Sequence, residues 1–299
     1  MQLKKLKKIF DASALFRALS SRGMLNWLPD KPYIKTAFKS IIGRKLDLKN
    51  PKTFNEKLQW LKLYDRCPEY TTYVDKYSVR QYIADTIGEK YLIPLLGVWE
   101  NPDDIDFANL PDQFVLKCTH NSGLGMCICE DKSKLDMNTI KKNLRKGLKQ
   151  NYYLTSREWP YKNVKRRIIA EKYIVDESGY ELKDYKIFCF HGHPKLIQVT
   201  FNHHSTINLY DCDWNYLPLS WSYQTDPSHL IDKPNRLADM LQLAEKLSGD
   251  YSFARIDFYS VIDHIYFGEI TFYPTSGLGQ FKPEEWDRTL GDWIMLPNR

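Results

Sequence analysis

The 299-residue chain contains six cysteines but no Cys-X-X-Cys pair. Cys67, Cys118, Cys127, Cys129, Cys189 and Cys212 are scattered through strand-like segments, and no signal-peptide pattern stands ahead of them. This argues against a disulfide framework and predicts reduced core residues of a cytoplasmic protein. Cys127 and Cys129 share one strand face without further His or Cys nearby, so packing is expected there rather than zinc. No apolar run reaches about 18 residues, which excludes a membrane-spanning helix on ordinary criteria. Internal repeats and low-complexity tracts are absent, as are a Walker A sequence and a GxGxxG between strand and helix. Charge is not one-sided either. A formal +6 with 27% charged residues of both signs suits acidic small-molecule or sugar partners and gives little reason to expect nucleic acid.

With 43% hydrophobic and 14% aromatic residues, the chain has ample material for a core. Met1 to Phe10 interleaves Lys4, Lys5, Lys7 and Lys8 with Leu3, Leu6 and Ile9, a basic amphipathic pattern. It is expected to be a solvated or frayed terminus, with contact to an anionic inner-membrane surface as the alternative. Residues 1 to 65 read as helical, and Thr53 followed by Glu56 carries a capping-box signature. Asp75 to Ile87 has helical spacing and stops at Gly88. Strands are expected at Tyr91–Trp99, Phe114–Cys118, Met126–Cys129, Arg167–Val175, Tyr185–His191 and Lys195–Phe201, and helices at Leu135–Gln150 and Asn235–Leu247. Strand pairs with intervening helices predict an α+β or α/β sandwich.

The most informative stretch is Phe253-Ala-Arg-Ile-Asp257-Phe-Tyr, followed after a polar break at Asp263-His264 by Ile265-Tyr-Phe-Gly-Glu269-Ile-Thr271-Phe-Tyr. Two apolar runs joined by a tight connection predict a hairpin, and each carries one carboxylate. Asp257 and Glu269 can face one site, where Mg²⁺ or a base would relieve their repulsion, or they can lie on a solvent face. Both readings fit the residues.

Four further segments carry candidate chemistry. Lys117 ends a strand before the His120-Asn-Ser122-Gly123-Leu-Gly125 loop, which can lay backbone N–H groups over phosphates or serve as an ordinary hairpin turn. Arg167-Ile-Ile-Ala-Glu171-Lys172-Tyr173-Ile174 can present its strand end to a purine edge or be a guarded edge strand. Alternation puts Asp184 and Lys186 on one face, for a ribose and a phosphate or for a surface ion pair. Asp75-Lys76 with Arg80 alone would be a solvated helix face.

The order of these segments is more specific than any one of them. Asp75-Lys76, Lys117 with its Ser-Gly loop, Glu171 to Ile174, Asp184-Tyr-Lys186, Arg255-Ile-Asp257 and Glu269-Ile-Thr271 together resemble the ATP-grasp fold over about residues 75 to 275. Lys52-Thr-Phe-Asn-Glu-Lys57, Phe267-Gly-Glu-Ile-Thr-Phe-Tyr273 and Ser276-Gly-Leu-Gly279 resemble its TupA-like branch, typified by the teichuronopeptide biosynthesis protein and associated with bacterial surface polysaccharides. The resemblance implies two α+β subdomains clasping ATP, with a helical extension over 1–65 and an ATP-grasp domain over 66–299, divided into about 110–165 and 166–299. It implies that Lys76 and Lys117 contact ATP phosphates under the Asn121 to Gly125 loop, including Ser122 and Gly123. Glu171, Lys172, Tyr173 and Ile174 would read adenine, with the Glu171 side chain near the amino group. Asp184 would hold ribose, with Glu181 as its rival, and Lys186 a phosphate. Lys117, Lys186 and Arg255 would act in phosphoryl transfer, and Asp257 and Glu269 would ligate Mg²⁺. Thr271 stands where the family has Asn, which weakens the third ligand.

The activity implied is ATP-dependent joining of a uronic-acid carboxylate to an amine, an amino acid or amino alcohol, through an acylphosphate. A sugar kinase and a glycosyltransferase using Asp211-Cys-Asp213, with Asp103-Asp104 considered beside it, are the alternatives. The basic residues Arg157, Lys162, Lys165, Arg166 and Arg167 are expected to face an acidic polymer or solvent, and Asn202-His203-His204-Ser205 to line the substrate side or be a polar loop.

Overall fold

A computed structural model describes residues 12–179, 181–201, 205–262 and 264–297. The readings on Met1 to Phe10, on Asn202-His203-His204 and on Asp263 lie outside the described residues. The N-terminal region is helical: α1 (Ala12–Ser21), α2 (Asp30–Ile42) and α3 (Phe54–Tyr64). The expected capping box opens α3, with Glu56 N–H donating to Thr53 and the Glu56 carboxylate accepting from the Thr53 backbone. Short helices α4 (Glu69–Val74) and α5 (Val79–Thr86) follow. Ile87 and Gly88 close α5, and Gly88 at φ 112° turns the chain into a 3₁₀ turn, so the strand begins only at Leu95 rather than at Tyr91.

Two antiparallel-rich sheets form the body. The smaller contains β1 (Leu95–Trp99), β2 (Phe114–Cys118), β3 (Cys127–Cys129) and β4 (Ile168–Lys172) in the order β1-β4-β2-β3. Its alternation sends Phe114, Leu116 and Cys118 into a core shared with Ile140 and Leu144 of α6 (Met137–Lys149). Helix α7 (Tyr152–Ser156) leads from α6 towards β4. Because β4 pairs with both β1 and β2, a division at 165/166 falls inside this sheet, and the second sheet begins only at β5.

The larger sheet contains β5 (Asp184–Phe190), β6 (His193–Phe201), β7 (Thr206–Tyr210), β8 (Tyr216–Leu217), β10 (Gln224–Thr225), β11 (Ala254–Val261) and β12 (His264–Thr271). A small ladder joins β9 (Ser220–Trp221) to β13 (Phe281–Lys282). Helix α8 (Leu237–Ser248) covers one face of the sheet through Met240, Ala244 and Leu247, and α9 (Glu285–Asp292) packs on α3. Phe54 of α3 lies among Phe190, Phe253, Trp221 and Phe281, so the N-terminal helices share the main core and do not form a separate unit. Among the described residues no helix is long and apolar enough to cross a membrane. All six cysteines are free, and three are buried.

Candidate functional site

Strand register assembles the site. In the large sheet Asp184 lies opposite Thr200 and Tyr259, and Lys186 lies opposite Gln198 and Asp257. Asp257 in turn lies opposite Glu269, and Arg255 opposite Thr271. Residues directly across antiparallel strands share a face, so these side chains form one polar surface on a sheet whose other face is core. A bulge at Gly268 sets part of this arrangement. Phe258 pairs with Phe267 while Asp257 pairs with Glu269, so the extra residue shifts the carboxylate into line. A side chain at 268 would meet the Asp257 carbonyl at 3.0 Å.

The charges interlock. Arg255 donates to both Asp257 oxygens at 2.7 and 2.6 Å, and from Nη2 to Glu269 and Thr271, each at 3.1 Å. Lys186 Nζ contacts Asp184 and donates to Asp257 at 2.9 Å. Lys76 Nζ donates to the Asn121 carbonyl at 2.8 Å and lies 3.8 Å from Glu269. Asp257 retains 2% side-chain exposure, whereas Glu269 retains 39%. Burial pushes the Asp257 carboxyl up to about 6 against the pull of Arg255 and Lys186. Burial also acts to raise Glu269, but Lys76, Arg255 and Lys186 overcome it and hold that carboxyl down at about 2. Burial lowers Lys76; for Lys186 burial is opposed and outweighed by Asp184 and Asp257, which raise it.

Two cavities flank this surface. One, of about 300 Å³, lies between the small sheet and β11; Val115, Ile128, Ile174, Leu182 and Tyr259 give it apolar walls, with Lys117 and Glu171 at its polar side. The other, of about 650 Å³, is bounded by Lys186, Arg255, Glu269 and Thr271 at one end and by Ser122 of the glycine loop. That loop rests on α6. Asn121 donates to the Leu124 and Gly147 carbonyls at 3.0 and 3.3 Å, and Gly147 lacks a side chain where one would meet Leu124 O at 2.7 Å.

The geometry revises several expectations. Glu171 does not present a free carboxylate to a base: Lys117 lies 2.6 Å from it and Arg80 3.2 Å. Arg80 is therefore part of the site's support rather than a solvated helix face. Lys172, Tyr173 and Ile174 do line the smaller cavity. Of the two ribose candidates, Glu181 lines that cavity, while Asp184 turns to Lys186 and leaves its Oδ1 buried without a protein hydrogen bond. Thr271 donates its hydroxyl to Glu269 while accepting from Arg255. Gly123 adopts φ 79° in the loop beside Ser122. Arg157 is buried at 3% exposure and faces no polymer. Arg167 pairs with Asp75 at 3.1 Å, Arg166 donates to the Leu148 carbonyl, Lys165 pairs with Glu100, and Lys162 lies over the Tyr153 ring. Asp211 accepts from the backbone of Asp213 and from Asn215, closing a turn, and Asp103 pairs with Arg145 and Lys141.

Lys62 and Glu158, both buried, line the larger cavity and were not evident as site residues in the sequence. Lys62 Nζ donates to the Ser156 carbonyl and to the carbonyl and hydroxyl of Ser276. Burial lowers its pKa to about 8, partly offset by Glu158. Lys62 follows Phe54 and Leu58 at four-residue spacing on α3, and that helical repeat of buried positions is the signal the sequence holds.

Compared with known families, residues 56–295 match the family described as TupA-like ATP-grasp. The chain belongs to the TupA-like ATP-grasp family. Among solved structures, this TupA-like ATP-grasp chain is similar to D-alanine–D-alanine ligase from Helicobacter pylori (TM-score 0.41, 16% identity, 76% of this chain and 64% of that one). It is also similar to the Bacillus anthracis D-alanine–D-alanine ligase complexed with ATP (0.40, 16%, 67% and 54%) and to a RimK domain ATP-grasp protein from Sphaerobacter thermophilus (0.42, 10%, 75% and 69%). The chain thus spans less than two thirds of the length of those two ligases, and its family assignment rests on the family match. No curated protein matches it.

Proposed function

We propose that this protein is an ATP-dependent carboxylate–amine ligase that forms an amide on a uronic acid of a bacterial surface-polysaccharide precursor. The observation carrying the proposal is the row of Lys117, Lys76, Lys186 and Arg255 between a smaller apolar-walled cavity and a larger one lined by both charged and apolar residues. The smaller cavity suits a flat base, and the cations suit a polyphosphate leading towards an acceptor. Arg255 supports this reading further: among the described residues Nη1 has no hydrogen-bond partner, and the residue lines the larger cavity.

The residues fit a hard divalent cation. Glu269 and Asp257 are registered carboxylates and Thr271 adds a hydroxyl, while among the described residues no third His, Cys, Asp or Glu completes a metal-binding group with them. Mg²⁺ held by Glu269 and Asp257 would supply charge neutralisation of phosphate oxygens. In the reaction, an acceptor carboxylate oxygen forms a bond to the γ-phosphorus of the substrate ATP as the bond to the β-phosphate oxygen breaks, releasing ADP. Arg255 and Lys186 hold the developing negative charge. An amine then attacks the acyl carbon, phosphate leaves, and the amine loses a proton. Ser122 and the glycine loop exclude water that would hydrolyse the acylphosphate.

A sugar kinase would use the same phosphate-binding residues. The Asp211-Cys-Asp213 segment gives little support to a glycosyltransferase, because Asp211 is committed to its turn. The test is ADP release from Mg-ATP with uronic acids and amines, separately and together, followed by product mass. ADP formation dependent on both, with a product lighter than their sum by one water, supports ligation. A sugar gaining one phosphate supports the kinase. Sugar transfer from a nucleotide sugar without ADP formation overturns both.

A further inference from the structure

The larger cavity is closed on one side by helices that precede residue 56, where the family match begins. Phe16, Arg17, Ser20 and Ser21 of α1 line it with Tyr33 and Ala37 of α2. This wall is built into the molecule. Tyr33 Oη donates to the Thr155 carbonyl at 2.7 Å and lies 2.6 Å from Ser20 Oγ, while Tyr153 bonds Asp30. Arg157 donates to the carbonyls of Leu25 and Asn26 at 3.1 and 3.2 Å, stacks on the Tyr33 ring at 4.4 Å, and lies 3.9 Å from Asp30. It holds φ 57°, a left-handed conformation uncommon for a residue with a side chain. A buried cation in that conformation fixes α1 and α2 to the segment carrying Tyr152 and Glu158, on another side of the same cavity.

Chemistry and size then define the occupant. Tyr152, Tyr161, Tyr223 and Tyr273 offer rings with polar edges, whereas Gln59 and Gln198 already donate to the Ser276, Gly277 and Thr200 oxygens. Four cationic groups line it, Arg255, Lys186 and Lys62 on the body of the protein and Arg17 on the exposed N-terminal wall, with the carboxylates Glu158 and Glu269 among them. A volume of 650 Å³ lies well inside the range of about 300–1,000 Å³ for ligand pockets and is generous for a single sugar ring. We propose that the acceptor is an acidic oligosaccharide of at least two units, and that α1 and α2 bind the unit beyond the reacting one. This rests on the ligase reading, with the reacting carboxylate at Arg255.

The test is calorimetric binding of galacturonic acid and its dimer and trimer to the full chain, with Mg²⁺ and a non-hydrolysable ATP analogue. Arg17→Glu and Ser21→Trp are compared with the unaltered protein; both positions are exposed and outside the nucleotide site. The dimer and trimer should bind at least tenfold tighter than the monomer, and each variant should lose that advantage while binding the nucleotide unchanged. Equal binding of monomer and oligomers, or variants that keep the advantage, overturns the inference while leaving the ligase reading intact. Nucleotide binding without binding of any acidic sugar overturns the acidic acceptor in both. Failure to bind the nucleotide overturns the ATP-dependent reading and the inference with it.

Discussion

Lys117 and Glu269 occupy opposite ends of the charged row, and each has neighbours able to keep the fold together when it is removed. Glu171 retains Arg80 when Lys117 is lost, and Arg255 retains Asp257 when Glu269 is lost. Lys117→Ala and Glu269→Ala should therefore lower ADP release by roughly 10²-fold or more with unchanged circular dichroism. Full activity in both would place the site elsewhere. Because burial raises the Asp257 carboxyl above the ordinary carboxylate range, nucleotide binding measured without Mg²⁺ should show an acid limb above that range, as protonation removes the charge that organises Arg255 and Lys186. A limb at the ordinary carboxylate value would exclude Asp257 as its source. Lys62 makes a different prediction. Its folded-state pKa of about 8 lies below the ordinary lysine value of 10.5, so between these values the unfolded chain binds more protons and stability rises with pH. Thermal unfolding should show that rise in the unaltered chain and not in Lys62→Met.

At the scale of elements, the hairpin of β11 and β12 was legible because aromatic and β-branched alternation is local. Its bulge was less so. The sequence displays Gly268 but not that it carries the extra residue that aligns Glu269 with Asp257. Gly268→Val should crowd the Asp257 carbonyl, reduce ADP release by tenfold or more, and leave the α-helical circular-dichroism signal unchanged; unaltered turnover would show that the bulge does not position the carboxylate. Strand β4 was recognised as a strand, yet its membership of the smaller sheet was not legible, since chain order alone does not choose between two available edges.

Across the whole molecule, the N-terminal helices and C-terminal α9 are one packing unit. Gly291 lies against the start of α3: an added side chain would sit 2.3 Å from the Lys52 carbonyl and 2.7 Å from the Phe54 nitrogen. Asp287 accepts from the Asn55 N–H at 2.9 Å, and Lys57 donates to the Gly291 and Ile294 carbonyls. Because backbone must move, Gly291→Ala should cost about 3 kcal/mol and lower the Tm by roughly 5 °C. An unchanged Tm would mean that the two helices yield freely.

Taken by itself, the sequence determined most element types, the capping box and the order of site segments that resembles ATP-grasp. These depend on periodicity, local hydrogen bonding and residues near one another in the chain. Only the tertiary structure decided that Glu171 is neutralised by Lys117 and Arg80, that Arg157 is an internal staple, and that Lys62 and Glu158 share a cavity with α1. Those outcomes depend on burial and on partners tens to hundreds of positions away, and a buried arginine is written in sequence with the same letter as a solvated one.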